Sequence, residues 1–179
     1  MIIKPPVFND IEKLASIHRA SRIEYERGVI FDDDLNRDDI NHFIKNWQTW
    51  MNDDDIFKLC LEDDGEVRGF ILYGRTKTRP SFDQGVVPRY GAEIYAIFVD
   101  PNHFRKGYGT QLFNAACKDL TDKKLNSMIL WTLKKNKKSS AFYNSFGGDK
   151  IAKQRVDMGE KSWAEESCFG WRDIRKTVL

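Results

Sequence analysis

Two stretches near the N-terminus carry apolar residues at the three- and four-residue spacing of an amphipathic helix. The first begins at Asn9, with Glu12 three residues later as in a capping box. Its apolar stripe consists of Ile11, Leu14, Ala15 and His18. The second begins near Asn36, and its stripe consists of Ile40, Phe43, Ile44, Trp47, Trp50 and Met51. A short strand over residues 2–7 precedes both, so the chain is predicted to start with one strand and two helices.

The rest of the chain combines strand patterns with two further helices. Residues 56–62 and 67–73 predict a hairpin around the turn Asp63-Asp64-Gly65-Glu66. Further strands are predicted over 93–99, 128–133, 151–156 and 163–171, the last two joined by a turn at 158–160. Helices are predicted after Gly109 and over 139–146. The order β-α-α-β-β-β-α-β-α-β-β indicates a mixed α/β fold in a single domain over 1–179.

Composition narrows the class of protein. The 29 basic and 27 acidic residues leave a net charge of +2, which gives no case for a nucleic-acid or membrane partner. No apolar run reaches the roughly 20 residues that span a bilayer. The N-terminus lacks a signal-peptide pattern, so a cytoplasmic protein is expected. Cys60, Cys117 and Cys168 lie far apart in apolar segments and are predicted to be reduced core thiols.

Two features have ordinary interpretations beside functional ones. His18 has no second histidine at metal-ligand spacing, so it is predicted to be a core or edge histidine, and no metal site is expected. The stretch 75–90 has no periodicity and is equally consistent with a mobile lid and with disorder. Its bases Arg75, Lys77 and Arg79 could contact phosphate, although a solvated surface is the commoner role.

Candidate chemistry concentrates where the strand ending at Val99 meets a basic loop and then a helix. Arg105 and Lys106 place positive charge beside Gly107 and Gly109, and the helix start leaves backbone N–H groups free. This arrangement predicts an anion site suited to a diphosphate-sized ligand. The third glycine of a dinucleotide-binding loop and the lysine of a Walker A loop are both absent, so neither ligand class is expected in its usual binding mode.

The segment Val99-Asp-Pro-Asn-His-Phe-Arg-Lys-Gly-Tyr-Gly-Thr110 resembles motif A of the GNAT N-acetyltransferase superfamily, Gln/Arg-x-x-Gly-x-Gly/Ala after a strand ending near a proline. Asn136 and the segment Ser140-Ala-Phe-Tyr143-Asn-Ser-Phe146 fall where that family places its later motif, and the resemblance covers the whole chain. It implies an acyl-CoA N-acyltransferase fold with a mixed, mostly antiparallel sheet of about seven strands and flanking helices. Phe104 departs from the pattern, because the family has Gln or Arg there to contact phosphate, and Arg105 is the expected substitute.

The resemblance also implies acetyl-CoA as co-substrate and a set of coenzyme-binding residues. In the family, the fourth strand splays from the fifth and the pantetheine arm inserts between them. By this match the arm would be lined by Ile97, Phe98 and Val99. The pyrophosphate would be held by the backbone of Arg105, Lys106, Gly107, Tyr108, Gly109 and Thr110. Asn136 would position the coenzyme or the tyrosine segment, with capping of the following helix as the alternative.

Two residues match catalytic positions of the family. Tyr143 matches the tyrosine that protonates the departing thiolate, the alternative being simple packing among neighbouring aromatic residues. Glu93 matches a glutamate that takes a proton from the incoming amine, often through water. An ion pair of Glu93 with Arg68 or Arg89 is an equally open interpretation.

The acceptor implied by the resemblance is a primary amine of a small molecule, peptide or protein. Acidic residues that would attract it, unless they are merely solvated, are Glu24, Glu26, Asp32, Asp33 and Asp34. The main rival hypothesis is a non-catalytic acyl-CoA-binding or regulatory domain on the same fold. A third is a protein-interaction module that uses the helix of Trp47 and Trp50, which could also form a homodimer face, although core packing is the commoner role of such a stripe.

Overall fold

The computed structural model describes residues 1–29, 33–34, 39–77, 90–158 and 162–177. Within these ranges seven strands form one mixed sheet flanked by four α-helices. The strands are β1 (Ile2–Lys4), β2 (Ile56–Asp63), β3 (Glu66–Arg75), β4 (Ala92–Val99), β5 (Met128–Leu133), β6 (Asp149–Asp157) and β7 (Trp163–Trp171). The helices are α1 (Ile11–Glu26), α2 (Ile40–Met51), α3 (Tyr108–Asp122) and α4 (Lys137–Ser145). The predicted fold class and element order are confirmed.

The sheet opens between its two central strands. The strand order is β1-β2-β3-β4-β5-β7-β6, and β4 and β5 are parallel whereas the other neighbours are antiparallel. The pairing of β4 with β5 covers three positions and stops at Ile94 and Leu130. Beyond Ile94, β4 stays paired with β3 as far as Val99, while β5 continues along β7. The two strands therefore diverge, and the second half of β4 borders an opening.

Two apolar cores cover the opposite faces of the sheet. Successive residues of β3 alternate between them, with Phe70 in one and Ile71 in the other, as the period of a strand requires. The first core is formed with α1 and α2, and Trp47 of α2 is completely buried in it. The second is formed with α3 and α4 and includes Phe113, which is also completely buried. The burial of Trp47 agrees with core packing of the tryptophan stripe.

The ends of several elements differ from the predicted ones. A 3-10 turn over Phe8–Asp10 precedes α1, and Asp10 accepts the N–H of Val7 at 2.8 Å. The capping box predicted at Asn9 and Glu12 is therefore wrong, because the turn already supplies this local contact. α2 begins after Asp39, whose carboxylate accepts the N–H of His42 at 3.0 Å, whereas its predicted start lies outside the described residues. β1 ends before Pro5, which has no N–H to pair with β2.

The structure contains both the predicted hairpin turn and the predicted buried thiols. Asp64 and Gly65 both have positive φ, +52° and +74°, as a two-residue hairpin turn requires. The three cysteines are free and buried. Burial raises the pKa of Cys60 to about 11 and the pKa values of Cys117 and Cys168 to about 12, so the thiols stay protonated at neutral pH.

Two predicted loops fall largely outside the described residues. These are the stretch 75–90, of which 78–89 is not described, and the turn at 158–160, of which 159–160 is not described. In the described part of the chain, no helix is both long and apolar enough to cross a membrane.

Candidate active site

The loop between β4 and α3 has a constrained backbone. Asp100 accepts the N–H of Asn102 at 3.0 Å, which caps a 3-10 turn over Pro101–His103. Arg105 and Gly107 then have positive φ, +62° and +80°. Because the left-handed region costs a residue with a Cβ about 1–2 kcal/mol, Arg105 is strained, as residues at functional sites often are. The loop brings α3 against the open edge of β4, since a Cβ on Gly109 would stand 4.0 Å from Cγ2 of Val99.

The start of α3 presents backbone N–H groups to this opening. The N–H of Gln111 donates to the carbonyl of Gly107 at 3.1 Å and so begins the intrahelical ladder. The preceding N–H groups of Tyr108, Gly109 and Thr110 have no acceptor within the helix. Together with the helix dipole, these groups suit an anion.

A cavity of about 450 Å³ lies beside these amides, a volume typical of small-molecule sites. Its walls come from the end of β4, the loop, and the helices α1, α3 and α4. The predicted site residues that line it are Ile97, Val99, Arg105, Gly107, Tyr108, Gly109, Thr110 and Tyr143. The remaining lining residues are Tyr25, His103, Phe104, Lys138, Ser139 and Phe142.

Three predicted coenzyme-binding side chains lie outside the cavity wall. Phe98 points to the opposite face of the sheet, where its ring centroid lies 5.1 Å from that of His18. Lys106 is exposed. The side-chain oxygen of Asn136 accepts the N–H of Ser139 at 2.9 Å, so this residue caps α4, which is the alternative role that its position suggested. Phe98 and Lys106 can contribute to the cavity through their backbone.

Glu93 lies at the opposite end of β4 from the glycine loop. Its side chain is buried, and the carboxylate accepts the N–H of Lys77 at 3.0 Å. Its register partner in β5 is Ile129, one position before the pairing of the two strands ends. Arg68 pairs with Glu66 at 2.7 Å, and Arg89 lies outside the described residues. Glu93 is thus a buried carboxylate next to the point where β4 and β5 diverge.

Tyr143 lies in an aromatic part of the cavity wall. Its ring centroid lies 5.4 Å from that of Phe142 and 5.5 Å from that of Phe169. Burial, and to a smaller extent the phenol of Tyr25, raises the pKa of Tyr143 above its usual value of 10.0. The phenol is therefore protonated at neutral pH and can donate a proton to an anionic group in the cavity.

Tyr25, His103 and Lys138 also line the cavity and are not among the predicted site residues. Tyr25 continues the α1 stripe beyond His18 at three- and four-residue spacing, so the stripe could have been extended to it. Its ring lies tilted against that of Phe104, with the centroids 5.8 Å apart. One turn earlier, the hydroxyl of Ser21 donates to the carbonyl of Val99 at 2.9 Å and ties α1 to the end of β4.

The acidic residues near the end of α1 have different surroundings. Glu26 pairs with Arg22 at 2.8 Å, which offsets its charge. Glu24 and Asp33 are exposed, whereas Asp34 is buried. Asp32 lies outside the described residues. Glu24 and Asp33 therefore remain the described carboxylates of this group that face solvent.

Comparison with known proteins places the chain among acetyltransferases. A sequence model of the acetyltransferase (GNAT) family matches residues 15–147. The uncharacterized N-acetyltransferase YuaI of Bacillus subtilis is 24% identical over 179 residues, which cover 99% of this chain and 97% of the relative. The ribosomal-protein-alanine N-acetyltransferase from Brucella melitensis aligns with a TM-score of 0.71 at 20% identity, covering 96% of this chain and 99% of that one. The PaiA N-acetyltransferase from Thermoplasma acidophilum, solved in complex with coenzyme A, aligns with a TM-score of 0.67 at 18% identity, covering 92% and 96%.

Proposed function

The chain belongs to the GNAT family and is an acyltransferase with acetyl-CoA as co-substrate, and we propose that it transfers the acetyl group to a primary amine by direct attack in a ternary complex. The amine belongs to a small molecule, a peptide or a protein. One observation carries the proposal. The cavity where β4 and β5 diverge joins the free N–H groups of α3 and the buried phenol of Tyr143 in one space.

The residues around the cavity fit acetyl-CoA. The N–H groups of Tyr108, Gly109 and Thr110 would hold the pyrophosphate, with the cationic side chains of Arg105 and Lys138 in the same wall. The pantetheine arm would lie along Ile97 and Val99, where β4 has lost its pairing with β5. The arm then leads from the glycine loop toward α4, where Tyr143 lies.

Each of the two proposed catalytic groups carries out one proton transfer. Glu93 accepts a proton from the ammonium group, which frees the nitrogen lone pair to attack the thioester carbon. The C–N bond forms, the C–S bond breaks, and the electron pair leaves with sulfur. Tyr143 donates its proton to the thiolate. The nitrogen loses a second proton as the amide forms, and this proton restores the phenol of Tyr143 through solvent. Glu93 is a buried carboxylate and Tyr143 a protonated phenol, which suits these roles.

Thermal unfolding and thiol release together test the proposed function. At about one hundred times its Kd, acetyl-CoA should stabilise the fold by about 2.7 kcal/mol, or about 5–10 °C in Tm. Free CoA thiol should then appear with primary amines from a panel of monoamines, polyamines and peptides with free N-termini. Tertiary amines serve as controls that cannot form a stable amide. Stabilisation without turnover on any primary amine would indicate the non-catalytic alternative and contradict the proposal.

Substitution of Gly107 by alanine should weaken acetyl-CoA binding at least tenfold. Gly107 has φ +80°, and no heavy atom lies within 4 Å of the position that a Cβ would take, so the substitution strains the backbone without a clash. The strain should lower the free energy of unfolding by about 1–2 kcal/mol and displace the loop that carries the amides. Isothermal titration measures the affinity, and urea unfolding measures the stability.

Gly65→Ala is the matched control for this change. Gly65 has φ +74°, an equally open surrounding, and lies in the β2–β3 turn outside the cavity wall. It should lose similar stability and keep its affinity for acetyl-CoA. Equal affinity of the two variants would show that the conformation at Gly107 has no part in coenzyme binding.

A further inference from the structure

An aspartate–histidine pair lies in the loop between β4 and α3, and no step of the proposed reaction uses it. His103 Nδ1 lies 3.3 Å from Oδ2 of Asp100, an ion-pair distance without an aligned hydrogen bond. Asp100 is buried, and its Oδ1 accepts both the backbone N–H of Asn102 at 3.0 Å and the side-chain N–H of Asn102 at 3.2 Å. The carboxylate is therefore fixed in place, with the imidazole beside it.

His103 is one of the residues that line the coenzyme cavity. Nδ1 is enclosed on the Asp100 side, so Nε2 is the nitrogen left to contact a ligand. The ring stands directly before Phe104, Arg105 and Gly107, which line the same cavity. The loop that carries His103 leads into the start of α3, and Tyr108, Gly109 and Thr110 line the same cavity.

Phe104, the residue after His103, cannot supply a side-chain contact to a phosphate. Its side chain packs against Tyr25 with ring centroids 5.8 Å apart and offers no hydrogen-bond donor to a phosphate. The neighbouring Arg105 is exposed and strained, and Lys138 reaches the cavity from α4 as an exposed, flexible side chain. His103, by contrast, is a less exposed donor of this wall and lies beside a buried carboxylate.

We propose that His103, positioned by Asp100, binds a phosphate group of the coenzyme through Nε2. It thereby supplies the side-chain contact that Phe104 lacks. The Nε2–H group donates to a phosphate oxygen, while Nδ1 stays on the Asp100 side of the ring. Asp100 acts on the coenzyme through the histidine and is a positioning residue. The proposal rests on the coenzyme assignment and is independent of the identity of the amine.

Titration calorimetry of His103→Leu with a series of truncated ligands tests the proposal. Binding of CoA should weaken at least tenfold, whereas binding of S-acetylpantetheine, which lacks all the nucleotide phosphates, should change less than twofold. Dephospho-CoA, which has the pyrophosphate but lacks the 3′-phosphate, shows which of these two groups His103 contacts. An equal loss for CoA and dephospho-CoA assigns the pyrophosphate, and a loss confined to CoA assigns the 3′-phosphate.

Three further variants separate phosphate recognition from a structural role. His103→Lys restores an N–H donor and should recover most of the CoA affinity, which repair of packing alone would not achieve. Asp100→Asn keeps an oxygen for Asn102 and should weaken CoA binding less than His103→Leu does. His42→Asn, at an exposed position on α2, controls for loss of a histidine elsewhere and should bind CoA normally.

Two results would overturn the proposal. One is unchanged CoA affinity of His103→Leu, and the other is an equal loss of S-acetylpantetheine binding. If His103→Leu does not fold, the comparison of His103→Lys with His103→Asn decides, because asparagine is polar but too short to reach the same phosphate. Equal CoA affinity of these two variants would then contradict a phosphate contact. None of these outcomes bears on turnover, so the proposed amine acetylation is tested separately.

Discussion

Replacement of Tyr143 by phenylalanine should lower kcat about 10²- to 10⁴-fold, the range expected when a general acid is removed. Phenylalanine retains the ring that packs beside Phe142 and Phe169, so the cavity wall should keep its shape. What is lost is the hydroxyl, whose pKa burial raises above its usual value. The same dry surrounding disfavours the departing thiolate and therefore assists its protonation. Steady-state kinetics and calorimetry should show the loss in kcat together with an acetyl-CoA Kd changed less than about threefold.

Tyr73→Phe controls for the loss of a buried phenol as such. The hydroxyl of Tyr73 donates to Asp119 at 2.8 Å on α3, and Tyr73 does not contribute to the cavity wall. Its replacement should cost about 1 kcal/mol of stability and leave kcat nearly unchanged. If Tyr143→Phe kept normal turnover, the proton would reach the thiolate by another route. If instead its acetyl-CoA affinity collapsed along with kcat, Tyr143 would be a binding residue.

The sequence predicts most elements of the fold because each has a local cause. The stripe of α2 and the turn at Asp64 and Gly65 depend on neighbours within a few residues. The start of α1 differs from the predicted one because Asp10, and not Glu12, is the carboxylate that accepts a local backbone N–H. A pattern of residue types does not decide between such competitors, whose energies differ by less than about 1 kcal/mol.

The candidate site is less predictable because it depends on contacts between distant segments. The glycine loop and Tyr143 carry motifs, but Tyr25 reaches the cavity because Ser21 anchors α1 to the carbonyl of Val99. The extent of pairing between β4 and β5 is likewise absent from the pattern of either strand. The side chains of Ile97, Phe98 and Val99 cannot all face one cavity, because alternate residues of a strand point to opposite faces.

Phe98 connects β4 to a half-buried histidine in the other core. His18 of α1 is surrounded by aromatic rings, with centroid distances of 4.8 Å to Phe43, 5.1 Å to Phe98 and 5.5 Å to Phe70. Its Nδ1 is buried and has no hydrogen-bond partner among the residues described. This is a histidine held neutral by its surroundings, in line with the predicted core position. Protonation would place an unpaired charge between α1, α2 and β4.

Acidification from pH 6.5 to pH 4 should lower the free energy of unfolding by about 3 kcal/mol through His18. Burial first, and then the charges of Arg22 and His42, lowers the pKa of His18 from 6.5 to about 4. Between these values the unfolded chain binds the proton and the folded chain does not, so stability falls as the pH falls. Well above pH 6.5, from about pH 7.5, His18 is neutral in both states and makes almost no difference.

The comparison of wild type with His18→Phe isolates this contribution from that of all other titrating groups. Urea unfolding at pH 7 and at pH 4.5 gives, for each protein, the loss of unfolding free energy between these pH values. The loss in wild type should exceed the loss in His18→Phe by about 2–3 kcal/mol. Phenylalanine is larger than histidine and can lower stability at both pH values, but it cannot titrate. His18→Met fills the site flexibly and should give the same loss of pH dependence. Equal pH dependence in wild type and both variants would mean that the histidine is hydrated or paired when folded, and that its aromatic surroundings do not keep it neutral.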